Sequence, residues 1–312
     1  MKLLRMFAVL LAVLCLVVSG KAFAAENGVQ AFRETFFAAM DNAKGYHLEL
    51  MFHGPTFQSN VLADSCLGTD GSCALKGNMR WSYTDTASGE SKHSEMPFYA
   101  ERNGNALALY GNRQGVWQRE NVLAGVTWIL DAVSSGDKAT KAKYAAAVSN
   151  VKITDVGNGQ ERMQITFDGK ALSGVQDKAV RDRIASMSAE DQKEATEYLR
   201  YINAALADTN PQVTWTVDKN KGKTVIVAAN LTDILRSYAK AVLQDSYQGN
   251  ISLTPQETEF LAALGYYYEL QLYLTSSDAK ANINIPANVK QNAKASNLFS
   301  DIKQEVISVV QK

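Results

Sequence analysis

Most of the first half of the chain alternates apolar and polar residues, which is the pattern of strands that bury one face. In the first of these segments Tyr46, Leu48, Leu50 and Phe52 alternate with polar residues. The later segments are Met79–Tyr83, Met96–Arg102, Ala106–Asn112 and Val116–Glu120. The hairpin pair Asn103-Gly104 and a looser turn over residues 112–115 separate the last three. Residues 46–120 are therefore predicted to form an antiparallel meander.

Helical and strand patterns alternate through the rest of the chain. Helical spacing of apolar residues predicts helices over Val29–Met40, from Val122 towards Asn150, after Ser188, over Leu231–Leu243 and over Leu298–Val309. Alternation predicts strands over Val151–Val156, Met163–Phe167, Val213–Val217, Thr224–Ala229 and Leu270–Leu274. Thr254 and Glu257 add a capping box that has proline at the first helical position. These elements predict an α+β fold, a largely antiparallel sheet with helices on one face.

The first 24 residues have the parts of a cleavable signal peptide. Basic residues precede an apolar run over Met6–Ser19, and the small residues Ala22 and Ala24 occupy the positions that a signal peptidase reads. A retained membrane anchor is one alternative, but the run is shorter than the roughly 20 residues that a spanning helix needs. A lipoprotein signal at Cys15 is another, but it lacks the small residue that should precede the cysteine. We therefore predict cleavage after Ala24 and a periplasmic or secreted protein.

The composition of the mature chain, residues 25–312, limits the classes of partner that it is expected to bind. Without the three basic residues of the leader, 29 basic residues stand against 32 acidic ones, a net charge of about −3. Because there is no basic excess to hold a phosphate backbone, nucleic acid is not an expected partner. No second apolar stretch reaches membrane-spanning length. The length is near the upper limit for one hydrophobic core, so one elaborated domain or two small ones would fit.

Cys66 and Cys73 are the two cysteines outside the leader, and only a short loop separates them. An even, closely spaced pair in an exported chain predicts a local disulfide bridge. Closing so short a loop should stabilise the fold by roughly 2.5 kcal/mol, because it lowers the chain entropy of the unfolded state. A redox role is the alternative, but the spacing is not C-x-x-C and no predicted helix begins at the pair.

Signals of catalysis and metal binding are weak. His47 and His53 share a strand face with Glu49, but six residues of strand span about 20 Å, so the two imidazoles cannot hold one ion. The chain has no G-x-S-x-G elbow, H-E-x-x-H, P-loop or dinucleotide-binding motif. We therefore expect no metal, no cofactor and no enzymatic activity. An enzyme whose site is assembled from distant residues remains the alternative.

Aromatic residues are the more informative signal. The predicted strands carry Trp81, Tyr83, Phe98, Trp117, Phe167 and Trp215. In one interpretation they fill an ordinary core. In the other, a sheet with large aromatic residues on its inner face and helices above it encloses a cavity for an apolar ligand. The pattern alone leaves both interpretations open.

Two segments resemble the LolA-like superfamily of bacterial envelope proteins, which includes periplasmic lipoprotein carriers and lipid-binding lipoproteins. Val213–Val225, followed by Asn230–Leu235, is similar to the family's strand, D-K-x-x-G turn, returning strand and D-L-T helix start. Ala281–Ala293 is similar to the family's closing segment, with its I-x-I-P sequence at Ile283–Pro286. The meander around Trp81 stands in the matching order. The motifs cover only these segments, while the order of the predicted elements is similar to the family's over most of the mature chain.

The resemblance implies a strongly curved, unclosed antiparallel sheet with an apolar inner face covered by helices, in a single domain over residues 25–312 that carries helical insertions. It implies a soluble exported carrier or sensor of a lipid or lipoprotein acyl chain, with an envelope protein as partner. By strand phase the expected ligand-binding residues are Trp81, Tyr83, Phe98, Leu107, Leu109, Trp117, Phe167 and Trp215. The alternative is a structural or protein-interaction module that has the same fold and a filled core.

Overall fold

The structure is a computed structural model that describes residues 45–55, 57–67, 73–84, 88–103, 106–122, 146–173, 184–186, 188–277, 283–296 and 298. Five predicted features lie wholly or partly outside these residues: the signal peptide, the helix over Val29–Met40, the Asn103-Gly104 turn, the helix predicted from Val122 and the C-terminal helix beyond Leu298. The helix predicted from Val122 towards Asn150 is wrong at its ends, where Val122 and residues 148–150 belong to strands.

Twelve strands within the described residues form one sheet. They are β1 (Gly45–His53), β2 (Phe57–Leu67), β3 (Cys73–Thr84), β4 (Ser91–Asn103), β5 (Ala106–Arg113), β6 (Val116–Val122), β7 (Val148–Gly157), β8 (Gln160–Phe167), β9 (Gln212–Asp218), β10 (Lys223–Asn230), β11 (Glu269–Ser277) and β12 (Lys294–Ala295). Their spatial order is β12-β6-β5-β4-β3-β2-β1-β11-β10-β9-β8-β7. Neighbouring strands are antiparallel except for the parallel pair of β12 and β6. The sheet is curved and unclosed, as expected.

Four of the helices in the described part of the chain lie against the inner face of this sheet, and the fifth lies against the other face. They are α1 (Gly169–Ser173), α2 (Ala189–Ala207), α3 (Thr232–Tyr247), α4 (Pro255–Tyr267) and α5 (Ala287–Asn292). The buried residues of α2, α3 and α4 belong to the same hydrophobic cluster as those of β8 to β11. Thr254 caps α4 with the predicted box: its hydroxyl accepts from the Glu257 N–H, and the Glu257 carboxylate accepts from the Thr254 N–H. The expected α+β class is confirmed.

Alternation divides the sheet into an inner face, which packs into the main core, and a mostly polar outer face. In β1, Leu48 and Leu50 are buried in the core, while His47 is exposed. The inner face continues onto the neighbouring strands, since Leu48 stands opposite Ala63 of β2 and Leu274 of β11. The burial expected for the first strand is therefore confirmed, and one inner face runs through the sheet from β6 to β7.

Two tight turns explain how the hairpins close. Gln114-Gly115 joins β5 to β6 with φ of 53° and 82°, and Asn158-Gly159 joins β7 to β8 with φ of 55° and 75°. Positive φ at both central residues is the type I′ geometry, whose twist matches that of the flanking strands. The turn over residues 112–115 was predicted from sequence and is confirmed, and the two strands predicted over Val151–Val156 and Met163–Phe167 form the second hairpin.

Two aspartates hold α2 and α3 together, one on α3 and the other directly after the end of α2. Asp245 accepts hydrogen bonds from the Arg200 guanidinium and from the Tyr201 hydroxyl, the latter at 2.9 Å. The bond from Arg200 lowers the pKa of Asp245, and burial raises the pKa of Tyr201 to about 12. Asp208 accepts from the Ser237 hydroxyl at 2.8 Å and from the Lys240 ammonium at 3.2 Å, which lowers the Asp208 pKa.

The C-terminal segment, residues 283–298, passes from the outer face to the inner face around the edge of β6. Val289 is buried on the outer face against Ala108 and Tyr110. The chain then pairs with β6 through β12, and Leu298 is fully buried in the inner core. Leu298 lies over Gly111, where an added Cβ would come within 2.6 Å of the Leu298 Cδ2 atom. The missing side chain of Gly111 therefore makes room for the end of this segment.

Strand β2 was missed by the sequence analysis, which left residues 57–67 unassigned. Its register with β3 sets Cys66 opposite Ala74 and Cys73 opposite Leu67, and Cys66 carries a free thiol in the structure. A bridge between antiparallel neighbours joins directly opposite residues, because these share a face. Forming it here would need a one-residue shift at this end of the hairpin. The Cys66–Cys73 disulfide therefore stays a prediction.

Candidate ligand-binding face

The candidate site is the meander face, which we define as the inner-facing residues of β2, β3, β4 and β5. Register places them in rows across the strands: Phe57–Tyr83–Lys92, Ser59–Trp81–Ser94, Val61–Met79–Met96, Ala63–Gly77–Phe98–Gly111 and Ser65–Leu75–Ala100–Leu109. Successive rows are about 7 Å apart, because each is two residues further along the strand. The first two rows carry polar groups, and the next three are mostly apolar.

Trp81 is the polar group that lies deepest on the meander face. It is only 3% exposed, and its indole Nε1 has no hydrogen-bond partner among the residues that the structure describes. Ser59 and Ser94 stand directly opposite it on the two neighbouring strands. A buried N–H that donates to nothing costs about 1–3 kcal/mol relative to one that is satisfied. The row therefore presents an unused donor, flanked by two hydroxyl-bearing residues, inside an apolar face.

Trp215 provides the contrast on the helix-covered half of the same inner face. It is 2% exposed, and its Nε1 donates to the Thr224 hydroxyl at 3.0 Å. It belongs to the same hydrophobic cluster as Leu235 of α3 and Leu264 of α4. On this half of the face the buried indole N–H therefore has an acceptor within the fold.

Lys92 stands at the rim of the meander face, one row beyond Trp81. Its ammonium lies 5.9 Å from the centroid of the Tyr83 ring. It is exposed, so its charge stays in water while the side chain lies along the face. Across β2, β3 and β4, the inner-facing positions hold no acidic residue. The rim therefore has positive charge beside the polar row.

The structure places seven of the eight predicted residues on the inner face, in two groups. Trp81, Tyr83, Phe98, Leu107 and Leu109 lie on β3, β4 and β5, and all five belong to or pack against the main core. Phe167 and Trp215 lie on β8 and β9 in the same cluster, in the half covered by α2 to α4.

Trp117 is the exception, because it lies on the outer face. It stands opposite Asn112 of β5, out of phase with Leu107 and Leu109. Its ring packs against Tyr99 at a centroid distance of 5.6 Å, in the small outer cluster with Val289. The predicted phase of Trp117 is wrong, since Val116 and Trp117 are adjacent large residues and only pairing with β5 decides which one turns inward.

Several residues of the face were missed from the sequence. Ser59 and Val61 lie on the unassigned strand β2, and Lys92 and Ser94 precede the predicted start of β4. Phe57, Ser59, Val61 and Ala63 do alternate with other residues. Because serine and alanine occupy two of these inner positions, the inner positions are little more hydrophobic than the outer ones.

The titratable groups of the outer face form pairs rather than a catalytic cluster. His47 Nδ1 lies 3.0 Å from a carboxylate oxygen of Asp64, and both side chains are more than half exposed. Lys290 of α5 lies 2.7 Å from the Glu101 carboxylate of β4. In the part of the chain that the structure describes, no three His, Cys, Asp or Glu side chains are grouped so that they could hold a metal ion.

Comparison with known proteins adds little to this geometry. No protein-family model matches the chain, and no curated protein matches it in sequence. The crystal structure of LprF from Mycobacterium bovis is similar in structure, at 12% sequence identity and a TM-score of 0.36, over 83% of this chain and 92% of that one. So distant a likeness carries no argument about function. None of the described helices is both long and apolar enough to cross a membrane.

Proposed function

We propose that this protein is an exported carrier or sensor of a hydrophobic ligand, a lipid or an acyl chain, and that the ligand binds on the meander face. The observation that carries the proposal is the sequence of rows on that face, in which three mostly apolar rows follow a polar row and a charged rim. Export is inferred from the leader at residues 1–24. An envelope protein that delivers or receives the ligand would be its partner.

Physical chemistry supports an apolar ligand on such a face. Each CH₂ group that leaves water gains roughly 0.8 kcal/mol, so an acyl chain in an aqueous compartment needs an apolar surface of its own length. The rows from Trp81 to Leu75 extend over about 20 Å. Met79 and Met96 lie in the middle of this length, and methionine side chains adapt their shape to what they contact.

A second function, a structural or protein-interaction module, is favoured by the other half of the inner face. There the Trp215 indole is hydrogen-bonded, and α2, α3 and α4 cover the sheet. If the meander half is filled in the same way, no acyl chain can enter, and the protein would act through its surface.

Ligand content of the purified protein separates the two functions. Native mass spectrometry of protein exported to the periplasm, with organic extraction, should reveal a stoichiometric lipid or acylated peptide. Protein stripped of lipid should take up a fluorescent fatty acid. Bare protein that also takes up no fatty acid would contradict the carrier and favour the module.

A matched pair of substitutions assigns the binding to the meander face. Met79→Trp adds bulk in the third row of the inner face, whereas Met51→Trp adds the same bulk on the outer face of β1. Met79→Trp should weaken fatty acid uptake, and Met51→Trp should leave it unchanged. Equal uptake by the two folded variants would place the ligand elsewhere.

A further inference from the structure

We propose that the Trp81 row is the head-group subsite of the ligand. In this arrangement the Trp81 indole N–H donates to a carboxyl oxygen of an acyl chain, and the hydrocarbon tail follows the rows of Met79 and Phe98. The inference rests on the proposed function, and it adds the chemical class and the orientation of the ligand. The class is an acyl chain that keeps an oxygen acceptor at its head.

The unused donor is the first reason. Trp81 Nε1 is buried without a partner, whereas the equivalent atom of Trp215 donates to Thr224. Both tryptophans lie on one inner face, so the difference belongs to their surroundings and not to the residue type. An acceptor that arrives with a ligand would satisfy the Trp81 N–H, and Ser59 and Ser94 could add their hydroxyls from the same row.

The distribution of charge is the second reason. Lys92 places an ammonium one row from Trp81, and no acidic residue occupies an inner-facing position of β2, β3 or β4. A carboxylate head is therefore attracted to this end of the face, whereas an ammonium head is repelled. At the opposite end of β4, Arg102 is also basic and faces inward opposite Leu107.

The order of the rows gives the orientation. From the Trp81 row the face continues through Met79 and Met96 to Phe98 and then Leu109, with no polar side chain in the two rows that follow Trp81. The head therefore lies next to the rim at Lys92, and the tail extends towards Leu109.

Three ligands with the same chain test the head group: dodecanoic acid, its methyl ester and dodecylamine. Isothermal titration of the purified, delipidated protein should give the tightest binding for the acid and the weakest for the amine. Trp81→Phe keeps an aromatic ring but removes the donor, so binding of the acid should weaken about tenfold, the change expected for one hydrogen bond to a charged group. Lys92→Met should weaken binding of the acid and leave the ester unchanged.

A direct readout is the indole N–H signal of Trp81 in a ¹H–¹⁵N spectrum. The chain has four tryptophans, and the signal missing from Trp81→Phe identifies the one required. It should move downfield when the acid or the ester binds, because both present an acceptor. If Trp81→Phe does not fold, substitution of one indole at a time by fluorinated tryptophan in the wild-type chain identifies the signal instead.

The controls separate the failure of this inference from that of the proposed function. Lys76→Met removes a lysine from the outer face of β3 and should change nothing. If the acid binds and neither Trp81→Phe nor the indole signal responds, the head-group subsite is wrong and the carrier stands. If the protein binds none of the three ligands, the carrier itself is wrong.

Discussion

At the scale of single residues, two tryptophans with the same strand pattern have different roles because of their neighbours. Trp215 donates to Thr224 beneath α3 and α4, so its polar atom contributes to the stability of the fold. Trp81 has the same burial but no partner for its N–H, so its polar atom detracts from stability. A ligand that brings an acceptor to this N–H would offset that loss of stability.

This difference predicts that the same substitution lowers stability more at Trp215 than at Trp81. Trp215→Phe leaves the buried Thr224 hydroxyl without its donor, so the free energy of unfolding should fall by about 1–3 kcal/mol more than in Trp81→Phe. Both changes remove the same volume, so the difference between them isolates the hydrogen bond. Urea denaturation of the ligand-free variants measures it. Equal losses of stability would contradict the assignment of the Trp215 bond.

At the scale of elements, the helices are held in place by local caps and by pairs of charges. The box of Thr254 and Glu257 starts α4, and Asp245 fastens the end of α3 to the middle of α2. The capping box depends only on the four consecutive residues Thr254–Glu257. The Asp245 contacts join residues that are 44 and 45 positions apart in the sequence, so they depend on how the helices pack.

The Asp245 contacts predict a loss of stability in acid. A folded-state pKa below the usual value of 3.8 means that the stabilisation is complete above that value and is lost as the pH falls through the lowered pKa. Asp245→Asn should lower the free energy of unfolding by about 1.5 kcal/mol at pH 7. The difference between the variant and the wild type should shrink as the pH falls below 3.8. A constant difference across the urea denaturation curves from pH 7 to pH 2 would show that the charge is not responsible.

The capping box predicts a smaller effect on stability. Thr254→Ala removes the hydroxyl that accepts from the Glu257 N–H, so the free energy of unfolding should fall by about 1 kcal/mol. Thr254→Ser retains the hydroxyl and should cost much less. If both variants are equally destabilised, the methyl group rather than the cap is what Thr254 contributes.

At the scale of the whole molecule, the C-terminal segment connects the two faces of the sheet at the edge of β6. It buries Val289 on the outer side and Leu298 on the inner side, with the short pair of β12 and β6 between them. An exposed edge strand invites pairing with other chains, so a segment bound there also protects against association. The segment therefore covers β6 at Gln118 and Arg119, where β12 pairs with it.

The contact between Gly111 and Leu298 is predicted to be energetically coupled. Gly111→Ala should destabilise the fold by about 1–3 kcal/mol, because the new Cβ would clash with Leu298 and with Met96. Leu298→Ala should cost about 2–5 kcal/mol through the space it leaves. The double variant should cost less than the sum, by at least 0.5 kcal/mol in a double-mutant cycle. Additive losses would place the end of the segment elsewhere.

Much of the secondary structure follows from local sequence, and the errors of the sequence-based prediction also have local causes. Strict alternation predicted the strands around Leu48 and Trp81, and the turn signal over residues 112–115 predicted the hairpin of β5 and β6. Strand β2 was missed because Ser59, Ala63 and Ser65 weaken its apolar face. The face of Trp117 was misassigned because its neighbour Val116 is also apolar, which leaves the phase of the strand undetermined without its partner.

The sequence by itself determined which segments become strands and helices, since alternation, helical spacing and turn chemistry act over a few neighbouring residues. Only the tertiary structure decided that β11 pairs with β1, more than 200 residues earlier, that Trp215 gains an acceptor and that Trp81 does not. Pairing between distant strands depends on the free energy of the whole sheet, because no local pattern specifies a partner. The candidate site is a product of that pairing: Ser59, Trp81 and Ser94 form a row only once three strands stand in register.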